Sequence, residues 1–199
     1  MVVLMKHLEY PFTASKIREL RAGDKVSLTG RVLTGRDRLH KHLWEGGKCP
    51  VDLKDGAIYH CGPVVLRKEG AWVMCAAGPT TSMRDDIYMP GIIEQYRVRI
   101  IIGKGGMGDS TMKACMKYGC VYLQVVGGSA ALLAENVEKV EGVHFLKEFG
   151  AADAMWEIVV KDFKAVVTMD AYGGNLHKKI RARSKRALNS LRKKKFRNG

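Results

Sequence analysis

The fold class is decided by residues 97–126, RVRIIIGKGGMGDSTMKACMKYGCVYLQVV. The run Arg97–Ile102 predicts a buried strand, because a strand that is covered on both faces does not need to alternate with polar residues. A glycine-rich turn follows, and Thr111–Tyr118 has the composition of a helix that leads into a second apolar strand, Val121–Val126. Strand, helix and strand in this order indicate a βαβ unit. We therefore expect an α/β protein.

Shorter elements flank this unit on both sides. We predict helices over Thr13–Leu20 and Arg36–Glu45, and a further helix that opens at Gly127. The other predicted strands are Lys25–Thr34, Ala57–His60, Pro63–Arg67, Ala71–Ala77, Met155–Val160 and Ala165–Asp170. No internal repeat and no linker rich in Pro or Ser divides the chain. One domain with a mixed sheet over residues 1–175, followed by a tail over residues 176–199, is the simplest interpretation.

The composition indicates a globular protein of a reducing compartment. Apolar residues make up 46% and charged residues 27% of the 199 positions, which excludes a disordered or fibrous chain. The longest apolar run, Ala71–Ala77, is far shorter than the roughly 20 residues that cross a bilayer, and the N-terminal residues do not resemble a secretory signal. Five irregularly spaced cysteines do not form a disulfide framework. We expect a cytoplasmic protein.

The formal charge of +14 is concentrated at the C-terminus. Residues 176–199 contain eleven Lys or Arg and no acid, and subtracting these from +14 leaves about +3 for the rest of the chain. We expect this basic tail to be helical or disordered. A nucleic-acid-binding module is one interpretation of the tail. A helix face that docks on a partner is another, and it would consist of Ile180, Ala187, Leu188 and Leu191.

Three loops share a pattern that suits an anionic ligand. Each follows a predicted strand and contains Gly or Thr, and the loops are Thr34–Asp37, Gly78–Arg84 and Gly103–Gly106. Loops that a rigid sheet holds at its strand ends commonly carry binding groups. Glycine lets the backbone approach a ligand closely, and arginine pairs with a carboxylate through two hydrogen bonds. The cations of these loops, Arg36, Arg84 and Lys104, together suit a small dianion, although each alone is also an ordinary surface cation.

A second group of candidates begins the predicted helix after the first loop. Asp37 and His40 lie three residues apart, so they share a helix face beside Arg36. The alternative is that His40 and His42 simply flank a solvated helix. Sequence alone leaves these two interpretations open.

Nucleotide and metal sites are not predicted. Gly103–Gly108 matches G-x-G-x-x-G, but a dinucleotide site also needs an acid at the end of the next strand, where this chain has Gln124-Val-Val-Gly-Gly. Lys104 is followed by Gly rather than by Ser or Thr, which excludes a Walker loop. No C-x-x-C spacing occurs, so we expect no metal ligand and no cluster ligand in this chain.

The loops and their neighbours resemble the successive signatures of the iron–sulfur hydro-lyases, which comprise class I fumarases and related tartrate dehydratases. The similar segments are Leu33–His40 (LTGRDRLH), Gly78–Tyr88 (GPTTSMRDDIY), Ile102–Gly105 (IGKG), Tyr122–Leu132 (YLQVVGGSAAL) and Ala154–Phe163 (AMWEIVVKDF). They run in order within residues 7–175 and resemble the C-terminal domain or separate β subunit of these enzymes. The family usually has Arg-Met-Asp where this chain has Arg84-Asp85-Asp86, and Gly-Asn where it has Gly105-Gly106.

The resemblance implies a swivelling β/β/α domain and a partner α subunit, in an α2β2 assembly. The partner would bind a 4Fe-4S cluster through three cysteines, and the fourth iron would coordinate the substrate. The implied reaction is the reversible hydration of fumarate to (S)-malate, with L(+)-tartrate dehydration as the alternative. The implied site residues are Thr80 as the base, Lys104, Asp37 and His40 as further catalytic groups, and Arg36, Arg84, Lys104 and Thr81 as substrate-binding groups. Asp37 and His40 would orient Arg36 or relay a proton.

Overall fold

The computed structural model describes residues 4–195, with side chains through Arg192. The strands are β1 Met5–Glu9, β2 Lys25–Gly35, β3 Ala57–His60, β4 Val64–Lys68, β5 Ala71–Ala76, β6 Ile100–Gly103, β7 Val121–Gln124, β8 Val137–His144 and β9 Met155–Met169. The helices are α1 Ala14–Arg18, α2 Asp37–Trp44, α3 Met89–Tyr96, α4 Asp109–Tyr118, α5 Ala130–Glu135, α6 Leu146–Phe149 and α7 Leu176–Lys195. A 3₁₀ turn spans Ser82–Asp85.

One mixed sheet of seven strands organises the fold, in the order β1-β2-β3-β6-β7-β9-β8. Strands β1, β2, β3, β6 and β7 are parallel. Strand β9 runs antiparallel to β2, β7 and β8. Because β9 pairs with both β7 and β2, the pairings of β2, β3, β6, β7 and β9 form a closed ring. The expected α/β class with a mixed sheet is confirmed.

Hydrophobic cores fill both faces of this sheet. In β6, Ile100 and Ile102 belong to one core and Ile101 to the other, because successive side chains of a strand point to opposite faces. All three are fully buried, which explains the unbroken apolar run in the sequence. Helices α2, α3 and α4 cover the second core with Leu39, Leu43, Ile92, Ile93 and Met112.

Strands β4 and β5 form a separate antiparallel hairpin. Trp72 of the hairpin packs edge-to-face on Trp156 of β9, with their ring centroids 5.3 Å apart. The backbone after β5 is held by α5, because Ala77 N–H donates to the Ala130 carbonyl at 2.9 Å. The hairpin thereby returns the chain to the edge of the main sheet, where Gly78–Arg84 begins.

The structure corrects several predictions about secondary structure. The two strands predicted at Met155–Val160 and Ala165–Asp170 are one continuous strand, β9. Its charged middle resembles a turn in the sequence, but Phe163 there is buried and pairs with Leu28 of β2. Strands β1 and β8 and helix α3 were not predicted, since their polar and apolar residues follow no clear period. The predicted helix Arg36–Glu45 is confirmed as α2.

Helix α7 contains most of the predicted basic tail. Asn175 precedes it, and its Oδ1 accepts a hydrogen bond from Lys178 N–H at 3.1 Å, which satisfies one free donor of the first turn. Residues 178–192 are exposed throughout. Residues 196–199 of the predicted tail lie outside the described residues. None of the described helices is both long and apolar enough to span a membrane.

Candidate active site

Four neighbouring parallel strands, β2, β3, β6 and β7, end at one edge of the sheet. Gly35 of β2 pairs with His60 of β3, and Gly103 of β6 pairs with Gln124 of β7. The carboxyl ends of parallel strands are the usual position of ligands in α/β proteins. We call this carboxyl end of the four strands the site edge. The three predicted loops, Thr34–Asp37, Gly78–Arg84 and Gly103–Gly106, all lie there.

Thr80 and Thr81 lie between the ends of β3 and β6. Thr80 N–H donates to the His60 carbonyl at 2.7 Å, and Lys104 N–H donates to the Thr80 carbonyl at 3.3 Å. Thr81 forms a parallel bridge with Lys104. This segment therefore behaves as a short inserted strand that fixes the backbone of Thr80. Side chains of successive extended residues point to opposite sides, so the two threonines are not equivalent.

A close contact behind Thr81 anchors the same segment. The Ser82 hydroxyl lies 2.9 Å from the Tyr122 hydroxyl, and Ser82 is fully buried. A Cβ atom at Gly103 would lie 1.9 Å from Ser82 Oγ, so only glycine leaves room for this contact. Ser82 holds the loop in place, a role that the sequence analysis did not assign.

The three predicted cations are all attached to the site edge, and two of them approach acids. Arg84 forms an ion pair with Asp37, which joins the second loop to the first. Arg36 is the residue before α2, and its Nε lies 3.8 Å from Asp153 Oδ1. A Cβ at Gly62 would lie 2.6 Å from Arg36 Nη1, so the guanidinium packs directly on that glycine.

The side chain of Lys104 lies along the backbone of Gly127, which begins the loop after β7. A Cβ at Gly127 would lie 3.4 Å from Lys104 Cδ and 3.9 Å from Lys104 Nζ. Together with the Arg84–Asp37 pair, this contact shows that the structure brings the three cation loops and the β7 loop to one place.

Asp37 differs from its expected position. It pairs with Arg84 of another loop rather than with its neighbour Arg36, because α2 turns its first carboxylate towards the 3₁₀ turn. Burial and then the charge of Asp85 raise the pKa of Asp37, despite the opposing effect of Arg84. In this geometry, Asp37 is placed to orient Arg84 rather than Arg36.

His40 lies beneath the site edge rather than on it. It is fully buried, its Nδ1 lies 3.0 Å from Asp85 Oδ1, and its ring meets that of His60 at a centroid distance of 4.9 Å. Burial lowers the pKa of His60 to about 3. Burial alone would raise the pKa of Asp85, but the neighbouring imidazoles of His40 and His60 lower it overall.

The sequence profile described as fumarase C-terminus matches residues 2–180. The chain belongs to this family. The resemblance stated from the motifs is therefore confirmed.

Curated relatives of this fumarase C-terminus chain carry two kinds of name. It is 47% identical over 190 residues to a putative fumarate hydratase class I of Geobacillus stearothermophilus, covering 95% of this chain but 37% of that protein. It is 37% identical over 192 residues to a putative L(+)-tartrate dehydratase subunit beta of Methanocaldococcus jannaschii, covering 92% of this chain and 98% of that protein. It is 38% identical over 175 residues to the L(+)-tartrate dehydratase subunit beta of Escherichia coli, covering 87% of each chain.

Asp85, where this chain departs from the family motif, and the adjacent Asp86 have separate structural positions. Asp85 faces His40, as described above. Asp86 Oδ1 accepts hydrogen bonds from Gly108 N–H and from the Thr111 hydroxyl, both at 2.7 Å, at the start of α4. Asp86 therefore ties the second loop to the glycine-rich third loop of this fumarase C-terminus domain.

Sequence reasoning missed His60 and Asp85, which both contact His40 beneath the site edge. His60 ends the predicted strand Ala57–His60, and this position was the available signal. Asp85 gave none, since its contact with α2 depends on how the 3₁₀ turn packs.

The cysteines of this fumarase C-terminus chain do not assemble into a cluster site. Cys75 is exposed on the hairpin, Cys49 is half-buried, and the buried cysteines are Cys61, Cys115 and Cys120. Among the described residues, the one group of three potential ligands is His40, His60 and Asp85, which contains no cysteine. The residues present therefore do not fit a 4Fe-4S cluster held by three cysteines.

Proposed function

We propose that this chain is the β subunit of a cytoplasmic two-subunit iron–sulfur hydro-lyase, which interconverts fumarate and (S)-malate. Residues 1–175 would form its swivelling β/β/α domain. The observation that carries the proposal is the convergence of Arg36, Arg84, Lys104 and Thr80 at one sheet edge. The family membership and the relatives named fumarate hydratase and tartrate dehydratase support it.

The cations of the site edge suit a C4 dicarboxylate. Such a substrate carries two negative charges at a fixed separation, and cations on separate loops can bind both ends. Arg36 and Arg84 would each bind a carboxylate through two hydrogen bonds. Asp37 would hold the Arg84 guanidinium in place, since the two side chains are already paired.

Thr80 is the proposed base for the proton step. In the direction from malate to fumarate, the carbon beside one carboxylate loses a proton and its neighbour loses hydroxide. A threonine hydroxyl is a weak base at neutral pH, so its anion needs adjacent positive charge. The backbone hydrogen bond between Thr80 and Lys104 keeps the lysine residue next to the threonine. We assign Lys104 to stabilising that anion or to binding a carboxylate.

A partner α subunit would hold the cluster, since the cysteines of this chain do not. The chain spans 37% of the length of its Geobacillus relative, so the proposed activity requires residues from elsewhere. The Methanocaldococcus and Escherichia relatives are named as subunit beta and have nearly the same length as this chain. These matches support a separate β subunit, and an α2β2 assembly is our proposal for the complex.

Tartrate is the second candidate substrate. The relatives whose whole length this chain covers best are named L(+)-tartrate dehydratase subunit beta, which favours it. The higher identity to the fumarate hydratase relative favours fumarate. L(+)-Tartrate differs from malate by one added hydroxyl, and both dicarboxylates would use the same cations.

The test is co-expression with a candidate cluster-bearing chain, followed by an anaerobic assay with fumarate, malate and both tartrates. We expect hydratase activity with fumarate and malate in the complex. The isolated chain, reconstituted with iron and sulfide, should remain colourless and inactive. A stoichiometric brown cluster on the isolated chain would contradict the two-subunit proposal. Activity with tartrate but not with fumarate or malate would make tartrate the substrate.

A further inference from the structure

A group of three metal-ligand side chains lies beneath the site edge. His40 belongs to α2, His60 ends β3 and Asp85 ends the 3₁₀ turn. All three side chains are 0% exposed. They come from three different segments, each anchored in the main sheet or its helical layer, so the group is held from three sides.

These side chains are buried without hydrogen-bond partners. Both ring nitrogens of His40, both of His60 and both carboxylate oxygens of Asp85 lack one. A buried polar group left without a partner destabilises the folded state, and folded proteins rarely retain several together. Six such atoms in one place indicate that something else satisfies them.

The geometry within the group suits shared coordination better than direct hydrogen bonding. His40 Nδ1 lies 3.0 Å from Asp85 Oδ1, yet the two atoms are not aligned as donor and acceptor. One donor atom from each residue lies within 4.8 Å of the other two. Shared coordination of one ion accounts for polar atoms that lie close together without the alignment of a hydrogen bond.

We propose that His40, His60 and Asp85 bind a divalent transition-metal cation of the zinc, cobalt and ferrous iron class. Two imidazoles and one carboxylate are a donor set that these cations favour, whereas Mg²⁺ and Ca²⁺ prefer oxygen ligands alone. A bidentate Asp85 carboxylate together with the two imidazoles would give four donor atoms, in place of the ion pair that Asp85 makes with His40. Asp37 lies next to Asp85 and adds a second carboxyl near the cation.

The cation would fix the loops of the site edge relative to one another. His40 lies in the helix that begins after Arg36, and Asp85 directly follows Arg84 in the chain. His60 accepts the backbone hydrogen bond of Thr80 through its carbonyl. One bound ion therefore couples the segments that carry Arg36, Arg84 and Thr80. This inference does not depend on which substrate the site edge takes.

The test is cobalt binding by the full-length, tag-free chain after its metals have been removed with a chelator. Anaerobic titration with Co²⁺ should give one equivalent bound, with the visible absorption of low-coordinate cobalt, and Zn²⁺ should displace it. The thermal unfolding midpoint should rise with either ion, because a ligand that binds the folded state stabilises it. Absence of stoichiometric binding by the wild-type chain would overturn the proposal without any variant.

Substitution assigns the binding to this group. His60→Gln and the nearly isosteric Asp85→Asn should each weaken cobalt affinity by at least about tenfold. The control is His7→Gln, because His7 is an exposed histidine of β1 and should leave the affinity unchanged. Equal affinity in the wild type and in a folded His60→Gln or Asp85→Asn variant, judged by circular dichroism, would place the ion elsewhere and overturn the assignment.

Discussion

At the scale of the residue, the site edge separates side chains that can reach a ligand from side chains that only hold the loops. Thr80 and Arg84 belong to the first kind, because Thr80 is partly accessible and the Arg84 side chain is 54% exposed. Ser82 and Asp86 belong to the second, since their hydrogen bonds are made within the protein. The kinetic constants of a variant, rather than its free energy of unfolding, should therefore show which kind of residue has been substituted.

Thr80→Val should depress kcat of the reconstituted complex by about a hundredfold or more, the scale of a lost general base. The change removes the hydroxyl but keeps the shape, and the backbone hydrogen bonds of Thr80 do not involve its side chain. Substrate affinity should change much less. Thr81→Val is the matched control for kcat, because Thr81 is assigned to substrate binding and not to the base. Near-normal kcat for Thr80→Val, or equal losses at both positions, would assign the base to the partner subunit.

Arg84→Ala should raise KM of the complex by about tenfold to a hundredfold, the scale of a lost charge-assisted hydrogen bond. The substrate carboxylate is charged in both the ground state and the transition state, so binding should suffer in both. Arg38→Ala is the control, because Arg38 is an exposed arginine of α2 that contacts the Phe149 carbonyl. An unchanged KM for Arg84→Ala would remove it from substrate binding.

At the scale of the element, polar contacts between segments hold the strands that lead to the site. Strand β1 is fastened to the turn before β2, because Lys6 Nζ lies 2.8 Å from Asp24 Oδ2 and Arg21 N–H donates to the same oxygen at 2.8 Å. Burial opposes ionisation of Asp24, but the hydrogen bonds from Lys6 and Arg21 outweigh it and lower the pKa of the carboxyl below its ordinary 3.8.

Asp24→Asn should lower the free energy of unfolding by about 0.5–1 kcal/mol at pH 7, a modest amount because the pair is screened by solvent. The pKa of Asp24 is lower in the folded state, so its charge contributes stability above pH 3.8 that is lost as the pH falls further. The difference between wild type and variant, measured by urea unfolding, should therefore shrink on acidification below about pH 4. A difference that grows in acid would contradict this sign.

At the scale of the whole molecule, α7 extends from the domain with little contact beyond its first turns. His177 Nε2 lies 2.9 Å from the Thr168 hydroxyl, and the ring packs against Gly106. From Lys178 to Arg192 the helix is exposed and strongly basic. Its first turns line a cavity of 570 Å³ beside Gly105 and Met107, close to the third cation loop.

Deletion of residues 178–199 should leave the activity of the reconstituted complex largely intact, because the three cation loops and their anchors lie upstream. Retention on a polyanion column should fall, since eleven positive charges are removed. Loss of activity in a complex that still assembles would place the tail in the site, through the cavity beside Gly105. Salt-dependent nucleic-acid binding that survives the deletion would favour a binding module in the domain itself.

The sequence by itself determined the features that depend on local patterns. Unbroken apolar runs and glycine turns predicted the strand–helix–strand unit that contains β6, α4 and β7. Regular spacing predicted α2, and the three motif loops identified the family. The roles assigned to Thr80, Arg36 and Lys104 also come from the motifs and remain predictions.

Only the tertiary structure decided which distant residues meet. The closure of the sheet by β9, the pairing of Asp37 with Arg84 and the group of His40, His60 and Asp85 join segments far apart in the chain. No local signal marks these contacts, because hydrophobic periodicity reports which face of an element is buried but not what it is buried against. The group beneath the site edge exists because three segments that are far apart in the chain pack together, and that is a property of the fold.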